Sequence, residues 1–254
     1  YDFFGVGEDA GNAGRSIPLE QTMDIAVASG LRRLTPGVYG GASLLWIRSR
    51  VQLRGDDALP IAPDAQDLST TNLLAPGVQM ELDTRDDDYW PSRGSLGTVK
   101  ASFFTSGIGS ERNFQRYMGA WCWYTGVRAP ELLLATNATI TASDGDVPFW
   151  AVPSVGAGLY GLRGYTQGRY RDDLVTTVQA ELRFHSNGRA GATLFGGFAQ
   201  VAPTFGDLWS AQLLPAGGLG VRYQLTRNYP MHMRADYAWG KNEGIFYFSV
   251  GEAF

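Results

Sequence analysis

The tightest constraint on this chain is an alternation of apolar and polar residues that sets charge in the middle of extended segments. From 174 to 184 the sequence reads LVTTVQAELRF. Val178, Ala180, Leu182 and Phe184 fall on one side, and Thr177, Gln179, Glu181 and Arg183 on the other. Residues 217–227 repeat the pattern, with Leu219, Val221, Tyr223 and Leu225 against Gly220, Arg222, Gln224 and Thr226. In 77–85, Val78, Met80 and Leu82 alternate with Gln79, Glu81, Asp83 and Arg85. A period of two marks a strand with one apolar and one polar face. Such a strand suits a soluble sandwich, apolar face inward, or a membrane barrel, with apolar face to lipid and charges toward a wet lumen.

Length separates the two. A tilted spanning strand needs about 9–11 residues, against roughly 5–6 for an average strand. Strand segments are predicted near 19–29, 38–53, 73–86, 93–106, 113–126, 131–143, 173–186, 190–202, 215–227, 230–240 and 244–254, most of them long enough. Residues 1–7 (YDFFGVG) read as a further strand, cut short, for about twelve in all; single-chain bacterial barrels carry an even number. The connections give a second test. Those at 187–189 (NGR) and 228–229 (NY) are tight, while 54–72, 144–172 and 203–214 are long. The connection at 240–243 is short where a long one is expected, and 87–92 is intermediate. Short turns on one rim and long loops on the other are the membrane-barrel asymmetry, and an even count puts both termini on the short-turn, periplasmic rim. The expected fold is all-β, a transmembrane antiparallel up-and-down barrel of about twelve strands. It forms a single domain over residues 1–254, with 144–172 folded into the lumen.

Composition agrees and excludes other classes. With 33 glycines and 13% aromatic residues, the chain suits strands, tight turns and aromatic girdles. A net charge of −4 offers no basic patch for nucleic acid. No stretch reaches the roughly 18 apolar residues of a membrane helix, which a barrel does not need. Tyr1 begins mid-pattern, so any export signal is expected to have been removed or to lie outside this chain. Cys122, the single cysteine, forms no internal disulfide and reads as a small wall residue.

Two motifs stand out. Gly161-Leu162-Arg163-Gly164-Tyr165 lies in the long 144–172 segment. A glycine near each side of one arginine frees the backbone for close approach. Inside a lumen Arg163 needs a carboxylate, and Glu181 and Asp236 are the candidates; Arg183 shares the strand face of Glu181. The alternative is a mobile surface loop with an incidental arginine. The second motif is the terminus, where Phe246, Phe248, Val250 and Phe254 share one parity, interrupted by Glu252. It reads as a barrel insertion signal, or otherwise as an ordinary last strand.

No catalytic or metal residues are assigned and no cofactor is expected. His185 and Ser186 are neighbours on a strand and point to opposite faces. His232 reads as a wall histidine, and Asp86-Asp87-Asp88 as a solvated acidic turn. Asn137-Ala138-Thr139 fits a glycosylation sequon that a bacterial wall strand makes irrelevant.

Taken in order, these pieces resemble the BamA/TamA superfamily of outer-membrane barrels, the bacterial surface antigen family. GLRGY at 161–165 resembles its lumenal-loop motif, (V/L)RG(Y/F). Phe3 to Gly7 resembles its FFG-x-G strand, and Asp83-Thr84-Arg85-Asp86 with Pro91 and Gly94 its DTRD hairpin. Gln179 to Arg183 resembles its x-x-E-x-R strand; Gly218 to Tyr223 and Arg234 to Tyr237 resemble its last strands. The family barrel usually has sixteen strands, preceded by periplasmic POTRA domains that catch client polypeptides. About twelve strands and no such domain are read here. Where the family often sets an aspartate for the loop arginine, 193–201 offers Gly196, Gly197 and Gln200.

The resemblance implies a bacterial outer-membrane barrel that aids insertion or transfer of polypeptides or lipids. It also implies a weak seam between the first strand, Tyr1 to Gly7, and the last, Gly244 to Phe254. Outer-membrane lipids, client polypeptides, and a second copy or a periplasmic subunit are the implied partners. The competing reading is a passive pore or structural barrel, with Lys100, Glu81, Arg183 and Arg222 setting selectivity.

Overall fold

A computed structural model of the chain describes residues 1–54, 70–128, 131–158, 160–185, 188–226 and 231–254. One antiparallel sheet of twelve strands runs in chain order, each strand paired with its sequence neighbours. The strands are β1 (Asp2–Phe3), β2 (Ile17–Thr35), β3 (Val38–Leu53), β4 (Thr70–Asp83), β5 (Gly94–Phe104) and β6 (Phe114–Arg128). They continue as β7 (Leu132–Gly145), β8 (Leu174–His185), β9 (Ala190–Ala202), β10 (Leu214–Gln224), β11 (His232–Gly240) and β12 (Glu243–Val250). A short helix, α1 (Glu8–Ala13), lies between β1 and β2. No helix among the described residues is long and apolar enough to cross a membrane.

The direction of the side chains decides between sandwich and barrel. On β8, Val178 and Leu182 are 42% and 40% exposed while Glu181 and Arg183 are fully buried. On β10, Leu219 and Val221 face outward and Arg222 is buried; on β11, Tyr237 faces outward and Asp236 is buried. A sandwich would show the reverse. The apolar face is the outer skin and the charges lie inside, as in a membrane barrel.

The rims differ as the loop lengths predict. The strand ends 35/38, 83/94, 128/132, 185/190 and 224/232 lie on one rim, and 53/70, 104/114, 145/174 and 202/214 on the other. The turn 241–242 is short on the long-loop rim. The tight turn expected at 228–229, part of that at 187–189, and most of 54–72 lie outside the described residues.

Three expectations are corrected. Residues 1–7 contribute the first strand, but little of that segment is extended. Only Asp2 and Phe3 pair, opposite Pro18 and Ile17. Gly5 and Gly7 both adopt φ of 95°, which turns the chain into α1. Tyr1 exchanges main-chain hydrogen bonds with Leu19 at the long-loop end of β2, so the two termini do not share the short-turn rim. Phe254 does not continue the outward row of Phe246, Phe248 and Val250. Gly251, at φ of 94°, ends the strand, and Phe254 turns inward against Cys122, Tyr124 and Ala135. Finally, β2 departs from the rule of greasy side chains outward. Met23, Ile25 and Val27 lie opposite Ser49, Ile47 and Leu45, on the face that turns inward.

Beyond Leu19, no described strand pairs with the outer edge of β2, and none pairs with the outer edge of β12.

Candidate functional site

The long connection between β7 and β8 fills the interior beside β8 to β12. Its path depends on backbone that side chains would obstruct. Gly164 has φ of 99°, and a Cβ there would meet the Trp239 main chain at 2.9 Å. A Cβ on Gly161 would meet Gly156 at 2.7 Å. These two glycines bracket Leu162 and Arg163 and let the loop lie against itself and against β11.

Neutral contacts seat the loop. Leu162, Tyr165 and Tyr170 pack in one cluster with Val175, Val201 and Leu214. The Tyr165 hydroxyl donates to the Pro215 carbonyl at 2.8 Å, and the Gly164 N–H donates to the Tyr247 hydroxyl at 2.9 Å. The Gln179 amide donates to the Tyr160 carbonyl at 2.9 Å. At the rim, the Thr166 N–H donates to Glu243 at 2.9 Å.

Arg163 is the centre. Its guanidinium forks between the two carboxylates the sequence nominates: Nη1 reaches Asp236 Oδ2 at 2.7 Å, and Nη2 pairs with Glu181 Oε1. It also lies 3.5 Å above the ring of Phe195. Each carboxylate holds another arginine. Glu181 accepts from Arg183 Nε at 2.8 Å, and Asp236 from Arg222 Nη1. Arg222 Nε extends the chain to Glu252 at 2.9 Å. Arg183 donates from Nη2 to the Phe254 carbonyl at 2.7 Å, which ties the inturned terminus to the network. Arg234 adds a longer pair with Asp236, 3.6 Å.

The arrangement works as a clamp. An arginine fork matched to two acids is directional as well as charged. In a buried network, loss of one partner leaves an uncompensated charge, which costs about 3–5 kcal/mol. The loop is thereby held across the interior by bonds to β8, β10, β11 and β12.

Sequence patterns missed several members. Glu252 reads as an interruption of the terminal strand; it becomes an inward carboxylate because Gly251 has already turned the chain. Arg234 belongs to the stretch that resembles the family's last strands, but nothing in the sequence marks it as a partner of Asp236. Trp90, in the 84–93 turn, enters from the short-turn rim, with ring centroids 4.3 Å from His232 and 5.7 Å from His185. Ser186 lies outside the described residues. Asp86 and Asp87 serve their own turn, accepting N–H bonds from Ser92, Arg93, Tyr89 and Trp90. Phe246, Phe248 and Val250 stand on the outer face of β12.

Comparison with known proteins follows the same lines. A family model described as the Omp85 superfamily domain matches residues 20–254. No curated protein matches in sequence. Among solved structures, the crystal structure of BamA from Haemophilus ducreyi lacking POTRA domains 1-3 is similar, with a TM-score of 0.68 and 14% identity. The match covers 99% of this chain and 57% of that one, so this chain spans little more than half its length. At that identity the likeness is one of fold.

Proposed function

Because this chain belongs to the Omp85 superfamily, we propose that it acts in the bacterial outer membrane as a barrel that aids the insertion or transfer of polypeptides. The observation that carries this reading is the loop clamp, which braces β8 to β12 through Arg163, Glu181 and Asp236 and, among the described residues, leaves β2 to β7 without such a brace. On this reading a seam opens beside β2, as the family resemblance implies, and a strand edge exposed there is a template for a further strand. A client segment that pairs there gains main-chain hydrogen bonds whatever its side chains, the basis of β-augmentation. The clamp on Arg163 keeps the loop fixed while the seam side stays free. On this reading the barrel is not an enzyme. Its partners are membrane lipids, client polypeptides, and either a second copy or a periplasmic subunit that delivers the client.

A passive pore is the competing role. The loop anchored across the interior weighs against it, and bilayer recordings separate the two, since a pore gives a stable channel with fixed selectivity. The direct test is photo-crosslinking in proteoliposomes to an unfolded outer-membrane polypeptide. A photoreactive residue at Ala28 on β2 should capture the client, whereas one at Val99, on the outer face of β5, should not. Equal capture at both sites, or none at Ala28, contradicts the seam.

A further inference from the structure

The interior has two unlike halves. Beside β8 to β12 it is filled by the loop and the ion network. Beside β2 to β7 it keeps a cavity of about 530 Å³, within the roughly 300–1,000 Å³ range of ligand pockets. Much of the cavity wall is apolar, with Met23, Ile25, Ile47, Leu73, Phe114 and Met118. Arg116, Arg171 and Trp150 also line it, and among the described residues no carboxylate does.

These three donors are poorly matched. Arg171, 4% exposed, donates from Nε to the Gly168 carbonyl at 3.1 Å and from Nη1 to the Phe149 carbonyl at 2.9 Å. Arg116 donates from Nε to Ser143 Oγ at 3.2 Å and from Nη2 to the Ala151 carbonyl. Both guanidiniums therefore meet one short turn, Phe149–Ala151. Neither has a carboxylate partner among the described residues, and no described acceptor meets Arg116 Nη1 or Arg171 Nη2. Trp150, in the same turn, buries its indole N–H without an acceptor. Two guanidiniums without described acids beside them, and one buried indole N–H without an acceptor, make this wall electropositive and favour an anion against it. The other arginines of the interior, Arg163, Arg183 and Arg222, all have acids beside them. The apolar wall is equally unusual for a water-filled channel, whose lining is polar.

We propose that this cavity binds an anionic amphiphile. Its carboxylate or phosphate headgroup is held by Arg116, Arg171 and the Trp150 N–H, and its hydrocarbon chain lies along Met23, Ile25, Ile47 and Met118. Planar guanidinium forks match such oxyanions in geometry as well as charge. Met23 and Ile25 belong to β2, so the apolar wall reaches across the cavity to that strand. The site does not depend on polypeptide handling and stands if that role fails.

The test titrates oleate, oleyl alcohol and inorganic phosphate against the full chain folded in a non-ionic detergent, read by calorimetry. Oleate should bind saturably, one per barrel, with oleyl alcohol and phosphate each about ten-fold weaker or more. Arg116→Gln and Arg171→Gln should each lose about ten-fold in oleate affinity while keeping heat-modifiable migration. Oleate no tighter than oleyl alcohol, or unaffected by either well-folded variant, overturns the proposal. Phosphate as tight as oleate overturns it in favour of a free anion, and an acidic peptide that displaces oleate overturns it in favour of a polypeptide. A measurement on the unsubstituted protein stands apart from variant folding: a diazirine-bearing fatty acid should label Met118 and Trp150. Label confined to outward residues such as Trp121 and Val99 overturns the site.

Discussion

At the scale of single residues, the ion network sorts its members by what each removal leaves behind. The cluster joins four cations, Arg163, Arg183, Arg222 and Arg234, to three acids, Glu181, Asp236 and Glu252. Removing an arginine brings the charges into balance, whereas removing an acid widens the excess. Glu181→Gln is therefore expected to cost about 3–5 kcal/mol, the range for breaking a buried pair, and Arg163→Ala less. Urea titration of the folded barrel followed by heat-modifiable migration ranks the two, and the opposite order contradicts the balance argument. Arg163→Lys keeps the charge but loses the fork, and should fall between wild type and Arg163→Ala. Outside the spanning strands, Asp86 gives a pH signature. Burial works against its ionisation, but hydrogen bonds from the Ser92 hydroxyl and the N–H groups of Ser92 and Arg93 outweigh it and hold its pKa below the ordinary aspartate value. A depressed acid stabilises the fold above its unfolded pKa and loses that contribution as pH falls through the lower folded value. The stability difference between wild type and Asp86→Ala should be full near neutrality and close below about pH 4. A difference that persists in stronger acid contradicts the assignment.

At the scale of elements, the strands were legible because period two is a geometric necessity of a wall with unlike faces. Eleven of the twelve strands fall where the alternation puts them. Nothing in YDFFGVG distinguishes a strand of two residues from one of seven, because the outcome rests on positive φ at Gly5 and Gly7. The same physics hid the end of β12. Parity carries Phe254 outward only if the chain stays extended through Gly251, which it does not. The loop was legible in its motif and in its candidate acids, but its other partners come from strands remote in sequence and reveal themselves only in register. Loop seating yields a prediction of its own. Gly164→Ala sets a Cβ against the Trp239 main chain, 2.9 Å away, at φ of 99°. Strain of about 1–3 kcal/mol is expected, which should loosen the loop before the wall. Trypsin cleavage after Arg163 or Arg169 in a barrel that still shifts on heating is the expected result. Unchanged protection contradicts the close packing of loop on β11.

At the scale of the whole molecule, the chain divides its interior between a clamped half and an open half. The loop and its ions brace β8 to β12, and the cavity lies on the other side, beside β2 to β7. A client strand or an amphiphile would meet the molecule there, where least has to be displaced. All of this presumes that the greasy exterior sits in hydrocarbon. The most direct test places nitroxide labels at Val178, Val221 and Tyr237 in the chain reconstituted into liposomes. Collision with lipid-soluble oxygen is then compared with collision with a water-soluble nickel chelate. Strong oxygen and weak nickel contact at all three positions is the predicted result; nickel contact equal to that of an exposed rim label such as Trp209 would contradict a membrane-spanning barrel.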